Sequence, residues 1–310
     1  MLLTPMTDIE NRQYDSDVAL ANPAAAVITS FSTLFGLLLA GYFKNLDESA
    51  AACNNLNSFG HGKWRQIGLV SSAIQSKFIY DAHLHSMNAN VKAEPICASS
   101  HAPPNPAQIR PKLIVANTNI LIPQLLNSVA GTDKLTYICN NIGLNLISSF
   151  PLNGDTVKEA VCLKAGQGLL PRPFATFEGA PAGAVAAAKN TASIIFANLL
   201  AAGATTDSQL NLDCTHMPDH LANLNTEGLN ADLVQTTVCN QHTPVSPQVA
   251  QVDLVTYSTR YFITVLETIG SSPGWLQWLC ANLDPVKMSS VGLDGNQVQK
   301  QVCAHTKAVK

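Results

Sequence analysis

The stretch Leu293-Asp294-Gly295-Asn296-Gln297-Val298, which leads to Val302-Cys303, decides the fold because its pattern recurs along the chain. The shared pattern L-[ND]-[GA]-[DN]-x-V-x-x-x-V-C also occupies residues 152–162 and 229–239. Asp or Asn at its fourth position predicts a helix N-cap, because such side chains accept backbone N–H groups. The two valines lie four residues apart and share one helix face. The pattern therefore predicts a short helix that packs through valine and is held by cysteine. A weaker copy is found at residues 87–90, before Ile96-Cys97.

A second pattern, C-x-[NH]-[LIM], begins at the other four cysteines, Cys53, Cys139, Cys214 and Cys280. An apolar segment that reads as a long helix lies upstream of each of these cysteines. We expect glycines to end these helices as C-caps, at Gly41, Gly131, Gly203 and Gly270. Proline-rich stretches at residues 103–106, 171–173 and 244–247 predict linkers, because proline breaks helices.

These patterns predict an all-α fold, a tandem array of about four helical repeats of about 65–85 residues each. An N-terminal arm covers residues 1–17, and the repeats cover residues 18–107, 108–175, 176–247 and 248–310. Each repeat contains one early and one late cysteine, so one disulfide is expected within each repeat. The predicted pairs are Cys53–Cys97, Cys139–Cys162, Cys214–Cys239 and Cys280–Cys303.

Cysteine usage and charge both favour an extracellular protein. Eight cysteines without a C-x-x-C pair are typical of disulfides rather than of a zinc ribbon, and disulfides persist in oxidising compartments. Charged residues make up only 13% of the chain, about half the usual share. The first residues of the chain do not resemble a secretory signal, so the predicted secretion rests on the cysteines and the weak charge.

Several classes of partner are disfavoured by composition. The net charge of −3 and the lack of a Lys/Arg cluster argue against nucleic acid and against anionic membrane surfaces. The uncharged residues 18–43 are long enough to span a bilayer. We expect a buried core helix instead, because the matching segments of later repeats carry Lys189, Arg260 and Glu267. No sequence motif indicates a cofactor, and none is predicted.

The strongest metal candidate is the segment 213–220, in which His216 and His220 lie four residues apart beside aspartates. Two observations favour a structural role. His216 stands where the other repeats have asparagine, and Pro218 disturbs a regular helical spacing of the two histidines. The sequence therefore predicts no metal site.

The first repeat differs from the others, because its cysteines are 44 residues apart rather than 23 to 25. The additional residues are assigned to 59–87, and this segment contains the candidate binding residues Trp64, Tyr80, Asp81, His83 and His85. Such side chains combine contact area with polar groups. The same segment also has enough apolar residues for a helix that caps the end of the array. Both interpretations stay open at this point.

No G-x-S-x-G, H-E-x-x-H or P-loop motif occurs, which makes an enzyme the less favoured class. We expect a secreted, non-enzymatic helical-repeat protein that acts as a binding or self-assembling module. Its weak charge favours an uncharged partner: a second copy in a homo-oligomer, a polysaccharide, or a small apolar ligand. The alternative is an enzyme or metal-binding protein that uses the His/Asp clusters at residues 81–85 and 213–220.

Overall fold

The computed structural model describes residues 22–42, 60–70, 73–74, 106–167, 179–204 and 206–307. Within these ranges the regular secondary structure is helical and no β-strand occurs. The all-α prediction is therefore confirmed for the described part of the chain. The predicted Cys53–Cys97 pair, the weaker pattern copy at residues 87–90, and Tyr80, Asp81, His83 and His85 lie outside the described residues.

The element order recurs along the chain. The first part contains α1 (Pro23–Tyr42) and α2 (Gly60–Ile67). The next contains α3 (Pro106–Leu126), α4 (Thr132–Asn141), α5 (Leu144–Ser148) and α6 (Gly154–Lys164). It is followed by α7 (Ala182–Gly203), α8 (Asp207–His216), a 3₁₀ turn (Met217–His220), α9 (Leu221–Thr226) and α10 (Ala231–Cys239). The last contains α11 (Pro247–Thr268), α12 (Trp275–Asn282), α13 (Pro285–Ser289) and α14 (Gly295–Lys307).

Three disulfides join the second helix of a group to its last helix, and they match three of the four predicted pairs. Cys139–Cys162 links α4 to α6, Cys214–Cys239 links α8 to α10, and Cys280–Cys303 links α12 to α14. The Cα atoms of each pair are 4.8 to 5.2 Å apart, which is within the range for unstrained bridges.

In each part of the chain, a buried hydroxyl near the middle of the long helix binds the backbone of a later turn in the same part. The hydroxyl oxygen accepts a backbone N–H at 2.8 Å in all four cases. The pairs are Val70 N–H to Ser32, Asn153 N–H to Thr118, Asn230 N–H to Ser193, and Asp294 N–H to Thr259. These four hydroxyl residues are at most 2% exposed. In the first part of the chain, Val70 donates the hydrogen bond that Asn153, Asn230 and Asp294 donate in the other parts.

The N-caps of the last helices lie two positions earlier than predicted. Asn153 accepts the N–H of Thr156, and Asn230 accepts the N–H of Leu233. Asp294 accepts the N–H of Gln297 in the same manner. The second residue of the L-[ND]-[GA]-[DN] pattern is thus the cap, because the hydroxyl bond to its own N–H fixes it just outside the helix. Residues at the fourth position lie in the first helical turn.

The glycines expected to end the long helices as C-caps lie near the helix ends, and α7 ends at Gly203, but the C-cap residue is Ala204 in α7 and Ile269 in α11. Of the four glycines, only Gly131 has a positive φ, and it precedes α4 as its N-cap. Gly41 lies inside α1, and a methyl group there would overlap the Glu227 carboxyl. A methyl group on Gly270 would overlap the Trp275 ring. These two glycines are needed for close approach of a neighbouring side chain rather than for backbone conformation.

The hydrophobic core divides into two clusters, each built mainly from alternate parts of the chain and joined by a few residues of the adjacent parts. One cluster contains Phe35, Leu38 and Ile74 from the first part together with Phe196 and Val238 from the third. The other combines residues of α3–α6 with residues of α11–α14, including Leu125, Ile138, Phe262 and Leu279. The long helices pack in sequential pairs, α1 with α3 and α7 with α11.

Two isolated antiparallel bridges connect the second and fourth parts of the chain, Val129 with Leu283 and Ile142 with Gly270. Val129 and Gly270 are 141 residues apart, and so are Ile142 and Leu283. The same offset separates Cys139 from Cys280. Two backbone hydrogen bonds obey the same reciprocity, Asp284 N–H to Ser128 O and Gly143 N–H to Ile269 O, both at 2.8 Å. The contact is thus approximately two-fold symmetric.

Two helices of the described part, α1 and α7, are long and apolar enough to span a membrane by length and hydropathy. Half of the most apolar window of α1 and 39% of that of α7 is buried inside the protein. Core helices pass the same test, and both of these helices carry a buried serine that bonds to a turn.

Candidate functional site

The structure separates the two histidines of the segment 213–220. His216 is exposed at the end of α8, whereas the side chain of His220 is 3% exposed and lies in the core. Within the described ranges, no group of three or more His, Cys, Asp and Glu residues is placed to hold a metal ion. The 3₁₀ turn that contains Pro218 causes this separation, because it replaces the regular helix that would align the two side chains.

Trp64 is the described member of the candidate binding residues in the first repeat, and it is a core residue. It is 3% exposed, and its ring centroid lies 5.3 Å from that of Phe35. The ring also packs close to Gly203 at the end of α7. Trp64 therefore joins the first and third parts of the chain, and it does not present its ring to solvent.

The most unusual polar group in the described part is the carboxyl group of Glu227. Glu227 follows α9 directly and caps it, since its N–H donates to Asn223 O. Its side chain runs under the last turn of α1, where Gly41 leaves space for the carboxyl group. The residue is 7% exposed, and neither carboxyl oxygen has a hydrogen-bond partner among the described residues.

Aromatic and sulfur contacts of Tyr42, the residue after Gly41, connect α1 to the 3₁₀ turn. The Tyr42 ring lies against His220 with centroids 4.4 Å apart. The Tyr42 hydroxyl donates to the Met217 sulfur at 3.4 Å. The Asn223 amide donates to the backbone oxygen of Tyr42 at 3.5 Å. We call Tyr42, Met217, His220, Asn223 and Glu227 the α1–α9 joint.

The electrostatics of the α1–α9 joint follow from burial. Burial raises the pKa of Glu227 well above the ordinary value of a glutamate. A carboxyl group is costly to ionise where no cation or N–H donor compensates the charge. The sole ion pair between described side chains joins His305 to Glu267 at 2.6 Å, so no described cation neutralises Glu227. The structure therefore favours the protonated acid.

Other acidic groups have smaller shifts. Burial raises the pKa of Asp213 to about 6, and the nearby charge of His216 opposes that rise. Burial raises the pKa of Asp253, whose carboxylate accepts the Asn198 amide at 3.2 Å. Burial also raises the pKa of Glu267, against the charge and hydrogen bond of His305. Asp213 lies on α8, whereas Asp253 and Glu267 lie on α11.

No local sequence pattern marks Glu227 or Tyr42, because Glu227 lies against Gly41, 186 positions earlier, and Tyr42 contacts Met217 and His220. Sequence analysis also missed the four buried hydroxyls, although a signal was present. Ser32, Thr118, Ser193 and Thr259 each lie 21 residues before the early cysteine of their repeat. A search for polar residues at a fixed distance from the cysteines would have found them.

Comparison with family models, with curated proteins and with solved structures gives no match for this chain.

Proposed function

We propose that the chain is a tandem array of four related helical repeats that works outside the cell as a binding or self-assembling module. The three disulfides support the array, since each closes one group of helices between its second and last members. The four buried hydroxyls at one spacing from the early cysteines support it independently. On this proposal the Cys53–Cys97 pair completes the set.

The array is a closed body rather than an open solenoid in this proposal. In a solenoid each repeat contacts only its neighbours in sequence. Here the two core clusters combine the first part with the third and the second with the fourth. A closed body with three internal bridges suits a compartment in which thiols are oxidised.

The observation that carries the proposed function is the weak charge of the chain combined with apolar side chains at exposed positions. Only 13% of the residues are charged, and described exposed positions include the apolar Leu212, Val249, Val252 and Val286. A surface of this kind contacts uncharged partners without the cost of stripping water from charges. The partner is therefore an uncharged polymer such as a polysaccharide, or a second copy of the chain.

The test measures binding to soluble uncharged polysaccharides and self-association of the chain, each at low and at high salt. We expect sedimentation or calorimetry to detect one of the two interactions, with an affinity that changes little with salt. Screening weakens contacts between charges and leaves uncharged contacts almost unaffected. An interaction that is lost at high salt, or turnover of a polysaccharide by the purified chain, would contradict the proposal.

A further inference from the structure

The α1–α9 joint contains a group that packing alone does not require. Glu227 is 7% exposed and its carboxyl oxygens have no hydrogen-bond partner among the described residues. Its neighbours across the joint are the Gly41 backbone and the end of the Ile109 side chain, both of which are buried. A leucine or methionine would fill this space at lower cost, because an unpaired buried polar group is destabilising.

The groups that face Glu227 leave an ionised carboxylate without compensation. On α1 the titratable residue next to Gly41 is Tyr42, and its ring lies against that of His220 in the 3₁₀ turn. From α3 the facing residue is Ile109, and its neighbours with charge are Arg110, which is exposed, and Lys112. Neither of these cations forms an ion pair with Glu227. A negative charge at this position would therefore be buried without a partner.

We propose that Glu227 is an acid-closed latch, which holds α1 against α9 while its carboxyl group is protonated and loosens that joint when the group ionises. Loosening separates the last turn of α1 from the 3₁₀ turn, and it weakens the contacts of Tyr42 with His220 and Met217. Because α1 and α9 belong to the first and third parts of the chain, the latch controls how these two parts stay together. The latch does not depend on the identity of the partner.

The direction of the pH effect follows from linkage. Burial raises the pKa of Glu227 in the folded protein above its value in the unfolded chain. The folded state therefore binds the proton more tightly than the unfolded chain does. The contribution of Glu227 to the free energy of unfolding is fully present below the unfolded pKa. The joint becomes weaker as the pH rises from the unfolded pKa toward the folded pKa. Acidic solution therefore closes the latch, and a rise in pH weakens it.

The test compares the full chain with Glu227→Gln across pH 4 to 8 by amide hydrogen exchange in the last turn of α1. The ratio of the wild-type exchange rate to that of the variant removes the intrinsic pH dependence of exchange. We expect this ratio to be near one at the acidic end and to grow by up to about tenfold for each pH unit within the titration window.

Two further variants make the result decisive. Glu227→Met removes the titrating group and any amide donor, and we expect it to show the same flat pH response as Glu227→Gln. Asp232→Asn removes an exposed carboxylate from the first turn of α10, five residues from Glu227, and should retain the wild-type response. A ratio that stays constant from pH 4 to 8, or a response that also disappears in Asp232→Asn, would overturn the latch.

Discussion

Tyr137 and Trp278 stack on each other, with ring centroids 4.0 Å apart and ring planes 17° from parallel. Each residue lies two positions before the early cysteine of its group, Cys139 and Cys280. The pair therefore joins corresponding positions in the second and fourth parts of the chain, as residues near a two-fold axis do. The reciprocal bridges of Val129 with Leu283 and Ile142 with Gly270 lie around the same contact.

The stacked pair should stabilise the contact between the second and fourth parts of the chain. In a double-mutant cycle of Tyr137→Ala and Trp278→Ala, we expect a coupling of about 0.5–1.5 kcal/mol. Chemical denaturation measures the four free energies of unfolding. Leu212 holds the matching position before Cys214 and is 57% exposed, so Leu212→Ala is the control and should change stability little. Strictly additive effects of the two aromatic substitutions would show that stacking contributes nothing.

The buried hydroxyl of Thr118 should contribute more to the free energy of unfolding than exposed threonine hydroxyls on the long helices do. Thr118→Val keeps the side-chain shape and leaves the N–H of Asn153 without its acceptor. We expect a loss of about 1–3 kcal/mol in the free energy of unfolding. Thr264→Val is the matched control, because the Thr264 hydroxyl donates only to Arg260 O at an exposed position. Equal effects of the two substitutions would argue against a role for this bond.

The repeated valines of the last helices should contribute about equally to the stability of the protein. Val234 and Val298 are both 0% exposed, whereas Val286 on α13 is 80% exposed. Val234→Ala and Val298→Ala should each destabilise the protein by about 1–3 kcal/mol, because they remove buried methyl groups. Val286→Ala should leave the thermal unfolding midpoint almost unchanged. A midpoint that responds to Val286 as strongly as to Val298 would be inconsistent with this packing.

The fourth disulfide should join Cys53 to Cys97. Three bridges follow the early-to-late pairing within one copy, and the remaining two cysteines belong to the first predicted repeat. Peptide mapping without reducing agent should recover one peptide pair that contains both residues. Free thiols at these positions, or a bridge from either residue to another repeat, would contradict the array.

The sequence predicts well those features that depend on nearby residues. The helical class and the three described disulfides follow from the repeated cysteine patterns, because each pattern lies within one helix and its flanking turns. The predicted N-cap lies two residues after the observed one, because Asn153 and Asp155 are both good caps. Only the hydrogen bond to the Thr118 hydroxyl distinguishes them. Local propensity does not contain that tertiary contact.

Long-range packing explains the other differences. Gly41 and Gly270 resemble C-caps in sequence, but the side chains that require a glycine there, Glu227 and Trp275, belong to different helices. Trp64 resembles a surface binding residue because it lies in an enlarged segment, yet it fills the core between α1 and α7. The spacing of His216 and His220 suggests a metal-binding pair, but the 3₁₀ turn places His220 beside Tyr42 instead. Except for Gly270 and Trp275, which are five residues apart, the partner is distant in sequence.

The pairing of Val129 with Leu283 also constrains how the chain acquires its structure. These residues are separated by more than 150 positions, and the first and third parts of the chain share a core over comparable distances. Closing such long loops costs chain entropy before native contacts repay it, so folding should be slow for an all-helical protein. Although α1 packs against α3, its residue Phe35 also packs against Phe196 and stays uncovered until α7 has been synthesised. We expect the nascent chain to need chaperones during that interval.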